Sequence, residues 1–161
     1  MIRLATEQDV KQIATLLREK AKLFQARGSQ QWSAYLKADL QQLVANDLAA
    51  GRLYVFEQGA ELLGSIALLP SLAWDQTLWP DTEGLYIHRI VVSETAKGLG
   101  VGKQLLRHVI AVTTAEQERL RLDCLATNDF LNRYYASFGF EPQGIRDGFA
   151  TYEYKETPVL K

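Results

Sequence analysis

The sequence predicts a mixed α/β domain: one sheet with helices on its faces. Three observations carry this. The apolar periodicity orders the elements as β-α-α-β-β-β-α-β-α-β-β, a central strand–helix–strand crossover flanked by hairpins. The chain has 161 residues, the size of one domain, so residues 1–161 are read as a single unit. Its composition, 47% hydrophobic and 23% charged, matches an average globular chain and excludes collagen, coiled coil and long disorder.

The elements follow in order. Ile2 to Leu4 reads as a short strand, and Thr6-Glu7-Gln8-Asp9 as a capping pattern opening a helix. Val10, Ile13, Ala14, Leu17, Ala21 and Phe24 then recur at helical spacing, and Gly28 closes that segment. After Gln30-Gln31-Trp32-Ser33, which has no clear period, Leu36, Leu40, Leu43, Val44 and Leu48 form a second stripe ending at Gly51. Arg52 to Glu57 and Leu62 to Leu69 read as an antiparallel hairpin turned at Gln58-Gly59. Residues 70–84, with two prolines and two tryptophans, read as a long irregular loop of the kind that is functional or mobile. Leu85 to Val92 is the strongest strand, and Ser93 to Gly102 a polar, glycine-rich connector. From Val101, Leu105, Leu106, Val109 and Ile110 mark a helix, and Arg119 to Leu125 alternates as a strand. Asn128 caps a helix carrying Leu131, Tyr134, Tyr135 and Phe138, ended by Gly139. Phe140 and Phe149 to Lys155 supply the last two strands, joined through Gly144 and Gly148.

Charge and cysteine usage narrow the function classes. The formal net charge is −1, so bulk attraction to nucleic acid is not expected. One cysteine, Cys124, excludes an internal disulfide and suits a reducing compartment. The opening MIRLATEQDV has no apolar core, so no signal peptide is expected, and no apolar run nears a bilayer's thickness. The expectation is a soluble cytoplasmic protein without a membrane partner. Two histidines far apart, His88 and His108, with one cysteine match no zinc spacing, so no metal is expected.

The informative segment runs from Ile90 to Lys103. A buried strand enters a turn with three alternating glycines, Gly98, Gly100 and Gly102, and the turn opens a helix. Glycine admits positive φ and close approach of a ligand, and helix N-terminal N–H groups favour anions. Lys97, Lys103 and Arg107 add positive charge, so the segment reads as a pyrophosphate cradle. A P-loop needs G-x-x-x-x-G-K-S/T, but Gln104 follows Lys103 and Lys97 replaces the opening glycine. A dinucleotide fingerprint begun at Gly98 places its third glycine at Lys103. What fits is Q/R-x-x-G-x-G/A, with Lys97 first, then Gly100 and Gly102.

That pattern resembles the acetyl-CoA signature of the GNAT superfamily of N-acetyltransferases, with Lys97 where Arg or Gln is commoner. Asn128, Tyr135 and Phe138-Gly139-Phe140 resemble the family's N-x-x-A-x-x-x-Y-x-x-x-G-F helix, with Leu131 in place of the small residue. The element order is similar over residues 2–155. The resemblance implies a central, mostly antiparallel twisted sheet of about seven strands, splayed at its centre, with helices on both faces. It further implies that backbone at Ile90, Val91 and Val92 binds the pantetheine arm of acetyl-CoA. The pyrophosphate then lies on Lys97, Gly98, Leu99, Gly100, Val101, Gly102 and Lys103, and Asn128 and Tyr135 face the arm and its sulfur. The reaction so implied is direct attack of an amine on the thioester, with acetyl-CoA as cosubstrate and Tyr135 as the acid for the thiolate.

The base stays open between Glu83, His88 and an ordered water. Tyr86, where some members place a catalytic Glu, is not carried over. Trp32, Tyr35, Trp74, Asp75, Trp79, Asp81 and Glu83 fall in segments that overlie the family's cleft. Acids with aromatics suit a cationic small-molecule amine; the alternative is that the tryptophans pin the loop and the acids are solvated. Protein N-terminal or lysine acetylation, and a non-catalytic acyl-CoA-binding module, are the competing readings. Many relatives dimerise, so a homodimer is an open option.

Overall fold

The computed structural model describes residues 1–29 and 32–155; Gln30 and Gln31, read above as lacking a period, lie outside the described residues. The strands are β1 (Ile2–Leu4), β2 (Arg52–Gln58), β3 (Glu61–Leu69), β4 (Leu85–Val92), β5 (Leu120–Leu125), β6 (Phe140–Arg146) and β7 (Phe149–Tyr154). The helices are α1 (Val10–Ala26), α2 (Leu40–Ala50), α3 (Ala73–Leu78), α4 (Val101–Ala115) and α5 (Asp129–Ser137). All seven strands join one open sheet in the order β1-β2-β3-β4-β5-β7-β6. The β4–β5 ladder is parallel, while the β1–β2, β2–β3, β5–β7 and β6–β7 ladders are antiparallel.

The chain divides into two compact units, Met1–Leu69 with His88–Val109, and Pro70–Ile87 with Ile110 onward. In the first unit α1 packs on α2 and β3, burying Ile13, Leu17, Leu40, Val44, Ile66 and Leu68 almost completely. The expected cap at Thr6 forms with a twist. Asp9 Oδ2 accepts from the Thr6 N–H at 2.8 Å, but the Asp9 N–H donates to the Thr6 carbonyl rather than the hydroxyl. Arg3 then grips the same carboxylate at 2.8 and 3.0 Å and Glu57 at 2.6 Å, tying β1 to β2 and to the head of α1. α2 starts later than the stripe implied, because Asp39 caps it through the Gln42 N–H at 3.1 Å.

In the second unit Leu78, Trp79 and Tyr86 make a small apolar core against Phe149. Segment 70–84, expected above to be an irregular loop, instead carries the helix α3. The Asp75 carboxylate accepts from the Leu72 N–H at 2.9 Å, closing the first turn from the N3 position with an apolar residue at the cap. β6 runs straight through Pro142 and Gly144, with a register shift between them. Proline is tolerated there because β6 is the last strand of the sheet and its missing N–H breaks no central ladder. Among the described residues β5 is laddered by β7 from Arg121 to Leu125, yet it pairs with β4 only at Leu85↔Leu120 and Tyr86↔Arg121.

Candidate active site

The glycine turn is built outward from β4. After Val92 the Ser93 N–H donates to the Leu63 carbonyl at 2.8 Å, holding the strand end against β3. Ser93 Oγ caps the short 3₁₀ turn Glu94–Ala96. The Lys97 N–H closes that turn on the Glu94 carbonyl, and the Leu99 N–H donates to the Ala96 carbonyl. Gly98 and Gly100 alternate with these at φ +88° and +70°, a conformation only glycine adopts without strain. The first N–H of α4 to find a backbone acceptor is that of Gln104, on the Gly100 carbonyl at 3.0 Å. Among the described residues, the N–H groups of Gly98, Gly100, Val101, Gly102 and Lys103 have no hydrogen-bond partner.

The space over the turn is open. A Cβ on Gly98 would meet nothing within 4 Å, and one on Gly100 only the Gln104 amide at 4.0 Å. Lys97, Gly98, Leu99, Gly100 and Lys103 are all exposed. This surface of orphan donors, at the positive end of a 15-residue helix and flanked by two lysines, fits a diphosphate. The turn's depth is set from below. A Cβ on Gly64 of β3 would lie 2.8 Å from Val101 Cγ1 and 2.9 Å from the Val91 carbonyl, so α4 rests directly on glycine backbone.

Ile90, Val91 and Val92 lie on β4 just before this turn. Val91 points into the core at 2% exposure, and Ile90 and Val92 are half-buried. His88 is also half-buried. Between His88 and Ile90, Arg89 takes φ +50°, which breaks the alternation expected along the strand. Its guanidinium forms a two-point ion pair with the buried Asp47 of α2. Asp47 falls on the same helical stripe as Leu40 and Val44, a polar residue at a core position that the sequence displays openly.

In the second unit, Asn128 caps α5 as expected, its Oδ1 accepting from the Leu131 N–H at 3.0 Å, which leaves its Nδ2 donors. Tyr135 is 6% exposed. Burial pushes its phenol well above the ordinary tyrosine value, with smaller contributions from Cys124, Tyr134 and Asp123. Its hydroxyl finds no hydrogen-bond partner among the described residues. Tyr134 stacks against Phe130 and edges onto Tyr135 and Phe138. Burial, with Asp123 adding, pushes the Cys124 thiol up to about 11. At pH 7 the thiolate fraction is then about one in ten thousand, so Cys124 is an inert core thiol. Asn132, which sequence reasoning missed, ties the end of β5 to α5 by donating to Leu125 and Asn128 carbonyls and accepts from Tyr152 of β7 at 2.5 Å.

The acids expected to receive a cationic amine are each engaged elsewhere. Asp75 is 1% exposed and closes α3. Asp81 binds Arg121 at 2.7 Å, and that hydrogen bond holds its carboxyl below the usual range. Glu83 pairs with Arg119 at 2.6 Å where both are more than half exposed. Arg121 also binds Glu153 at 2.8 Å and donates to Tyr86 Oη at 2.9 Å. Burial raises the Glu153 carboxyl, but Lys155 and Arg121 outweigh it and leave it below its ordinary value. The guanidinium of Arg121 stands 4.2 Å over the Trp79 ring, so the expected cation–π partner of Trp79 is already this chain's own arginine. Tyr86, at 0% exposure, donates to the Glu83 carbonyl and is a core residue rather than a base. Trp79, Asp81, Arg119, Arg121 and Glu153 line a polar cavity of about 500 Å³ with Gln143, Arg146 and Thr151. Trp74 donates weakly to Asp123 and packs edge-on to Phe149. In the first unit Trp32 and Tyr35 pack together, with Phe24 edge-on to Trp32. Among the described residues no helix is long and apolar enough to cross a membrane.

Known proteins agree with this architecture. Residues 13–140 match the acetyltransferase (GNAT) family. A Bacillus subtilis (strain 168) protein, named as the uncharacterized N-acetyltransferase YesJ, is 35% identical over 145 residues, 87% of this chain and 81% of its own. The 5-NmdU N-acetyltransferase of Pseudomonas phage PaMx11 is 29% identical over 115 residues, 70% of this chain and 75% of its own. Among solved structures, a GNAT family acetyltransferase from Listeria monocytogenes 4b F2365 matches with a TM-score of 0.82 and 29% identity, covering 95% of this chain and 92% of that one. The PaiA N-acetyltransferase of Thermoplasma acidophilum, solved with coenzyme A, matches with a TM-score of 0.78 at 15% identity, covering 97% and 98%; that likeness is one of fold. With the family matched across most of its length and the glycine turn built at the head of α4, this chain belongs to the GNAT family of acetyltransferases.

Proposed function

We propose that this chain moves an acetyl group from acetyl-CoA to the primary amine of a small molecule by direct attack, acting in the cytoplasm as one domain over residues 1–161. The observation that carries the reading is the row of five partnerless N–H groups from Gly98 to Lys103. Acetyl-CoA supplies the activated thioester. Residues Lys97 to Lys103 hold its diphosphate, and the backbone of Ile90, Val91 and Val92 runs beside the pantetheine arm as an added strand. The amine nitrogen forms the new C–N bond as the C–S bond breaks. One proton leaves the nitrogen and one is needed on the sulfur. Tyr135 keeps its proton throughout the working range, because burial disfavours the phenolate. Its unengaged hydroxyl is the donor to the departing thiolate. His88 on β4, directly or through water, is the proton acceptor in this scheme. Asn128 Nδ2, free of the cap, is a donor toward the arm. No cysteine step is needed, since the Cys124 thiol stays protonated.

The test is free-thiol release from acetyl-CoA with a panel of small amines alongside peptides bearing a free N-terminus or a lysine. Turnover of small amines supports the reading. Turnover of peptides alone replaces it with protein acetylation, and acetyl-CoA binding without turnover of any amine replaces it with a binding module.

A further inference from the structure

We propose that Arg89 is a positioning residue for acetyl transfer: its ion pair with Asp47 holds the left-handed link in β4 that aims the backbone of Ile90 to Val92. The inference rests on the reading that this stretch of β4 receives the pantetheine arm. A residue with a long side chain at φ +50° in mid-strand is disfavoured by its own Cβ, and glycine or asparagine suits that conformation better. Such a conformation persists only where the surroundings over-determine it. Here they do so through the side chain itself. Arg89 Nε donates to Asp47 Oδ2 at 2.5 Å and Nη2 donates to Oδ1, with the two side chains only 13% and 6% exposed. Asp47 is anchored in α2, and its carbonyl receives the Gly51 N–H that ends the helix. Tyr35, from the 3₁₀ turn Ser33–Leu36, interacts electrostatically with the same guanidinium.

A planar fork held at two points fixes an orientation as well as a distance. The left-handed residue reverses the pleat, so the peptide groups that follow it point where a regular strand would not aim them. Replacing a buried ion pair by apolar residues of similar volume is often neutral or stabilising, whereas removing one partner alone is strongly destabilising. The direction of the backbone at Ile90 to Val92 is what the pair secures.

The experiment compares R89K, D47N and R89G with the wild-type chain. R89K keeps the charge and loses the fork; R89G relieves the backbone and loses the tether. Each is measured for cooperative unfolding, for acetyl-CoA affinity by calorimetry, and for kcat and KM with an accepted amine. In the folded variants kcat falls by about 10- to 100-fold, the cost of misplacing a reacting group by a fraction of an ångström, while the acetyl-CoA Kd weakens by less than kcat falls, since the phosphate turn is untouched and only the backbone along the arm is misdirected. A kcat within twofold of wild type in folded R89K or R89G overturns the proposal. So does a loss of kcat that tracks the unfolded fraction and disappears on cooling. Failure of the wild-type chain to bind acetyl-CoA or to turn over any amine overturns the underlying reading instead, and is seen before any variant is made.

Discussion

Gly64→Ala is the sharpest probe of how the phosphate turn is held. Gly64 has an ordinary strand φ, so alanine is acceptable to the backbone and only space is at issue. The added methyl would lie 2.8 Å from Val101 Cγ1, 2.9 Å from the Val91 carbonyl oxygen and 3.1 Å from Leu105 Cδ1. Ordinary contact begins at 3.4 Å, so the Val101 methyl must retreat by about 0.6 Å and the Val91 oxygen by about 0.5 Å, the differences of those distances. Val101 is the first residue of α4 and Val91 belongs to β4, so both displacements fall on the turn. Overpacking of this kind costs ~1 to 3 kcal/mol, against a gain of ~0.5 to 1 kcal/mol for replacing a strand glycine. The net loss of up to ~2.5 kcal/mol lowers Tm by up to ~5 to 10 °C for a chain of this size. Loss of even one charge-assisted hydrogen bond to the diphosphate weakens acetyl-CoA binding by ~10- to 100-fold. Differential scanning calorimetry reads the first effect and isothermal titration the second. A G64A protein with raised Tm and unchanged acetyl-CoA affinity refutes the close-approach argument.

Other outcomes follow from the same structure. Tyr135→Phe leaves acetyl-CoA binding intact and lowers kcat by ~10²-fold or more; unchanged turnover removes Tyr135 from the chemistry. Cys124→Ala keeps kcat within about threefold, and the native thiol reacts slowly with iodoacetamide at pH 7, since its pKa lies near 11; rapid alkylation contradicts its burial. The Arg3 hydrogen bonds hold the Asp9 carboxyl below its ordinary value. That stabilisation is therefore present above the unfolded carboxylate pKa near ~3.9 and is lost as pH falls through the lower folded value. Asp9→Asn should cost ~1 to 2 kcal/mol at pH 7 and progressively less as acid takes the medium below the ordinary carboxylate range, read by denaturant titration across pH; a difference that does not shrink in acid contradicts the linkage.

The regular elements were legible because periodicity and capping chemistry agree in them. The Asn128 cap, the Gly98 and Gly100 turn and the hairpin at Gly59 each have a local cause visible in a few residues. Three features escaped because their causes are distant. α3 hid between prolines, its cap supplied by Asp75 from inside the helix. β6 runs through Pro142, acceptable only on the sheet's edge, and the sheet order is a long-range property. The acids Asp75, Asp81 and Glu83 looked available for a substrate amine because their partners, the Leu72 N–H, Arg121 and Arg119, are revealed only by the fold. Two signals were nonetheless on display. Arg121 sits at an alternating position inside RLRLDCL, and Asp47 interrupts an apolar helical stripe. A charged residue at a core position announces a buried partner, here Asp81 with Glu153, and Arg89.

The central claim is that the turn from Lys97 to Lys103 holds the diphosphate of acetyl-CoA through its orphan N–H groups. Calorimetric titration of the wild-type chain and of Gly100→Ala with acetyl-CoA tests it most directly. Gly100 stands at φ +70°, so alanine strains the turn, and its methyl projects into the open space over it without adding a charge. The account predicts saturable binding to the wild-type chain and affinity at least about tenfold weaker in the variant. Absence of binding at millimolar acetyl-CoA, or equal affinity in the two proteins, would contradict it.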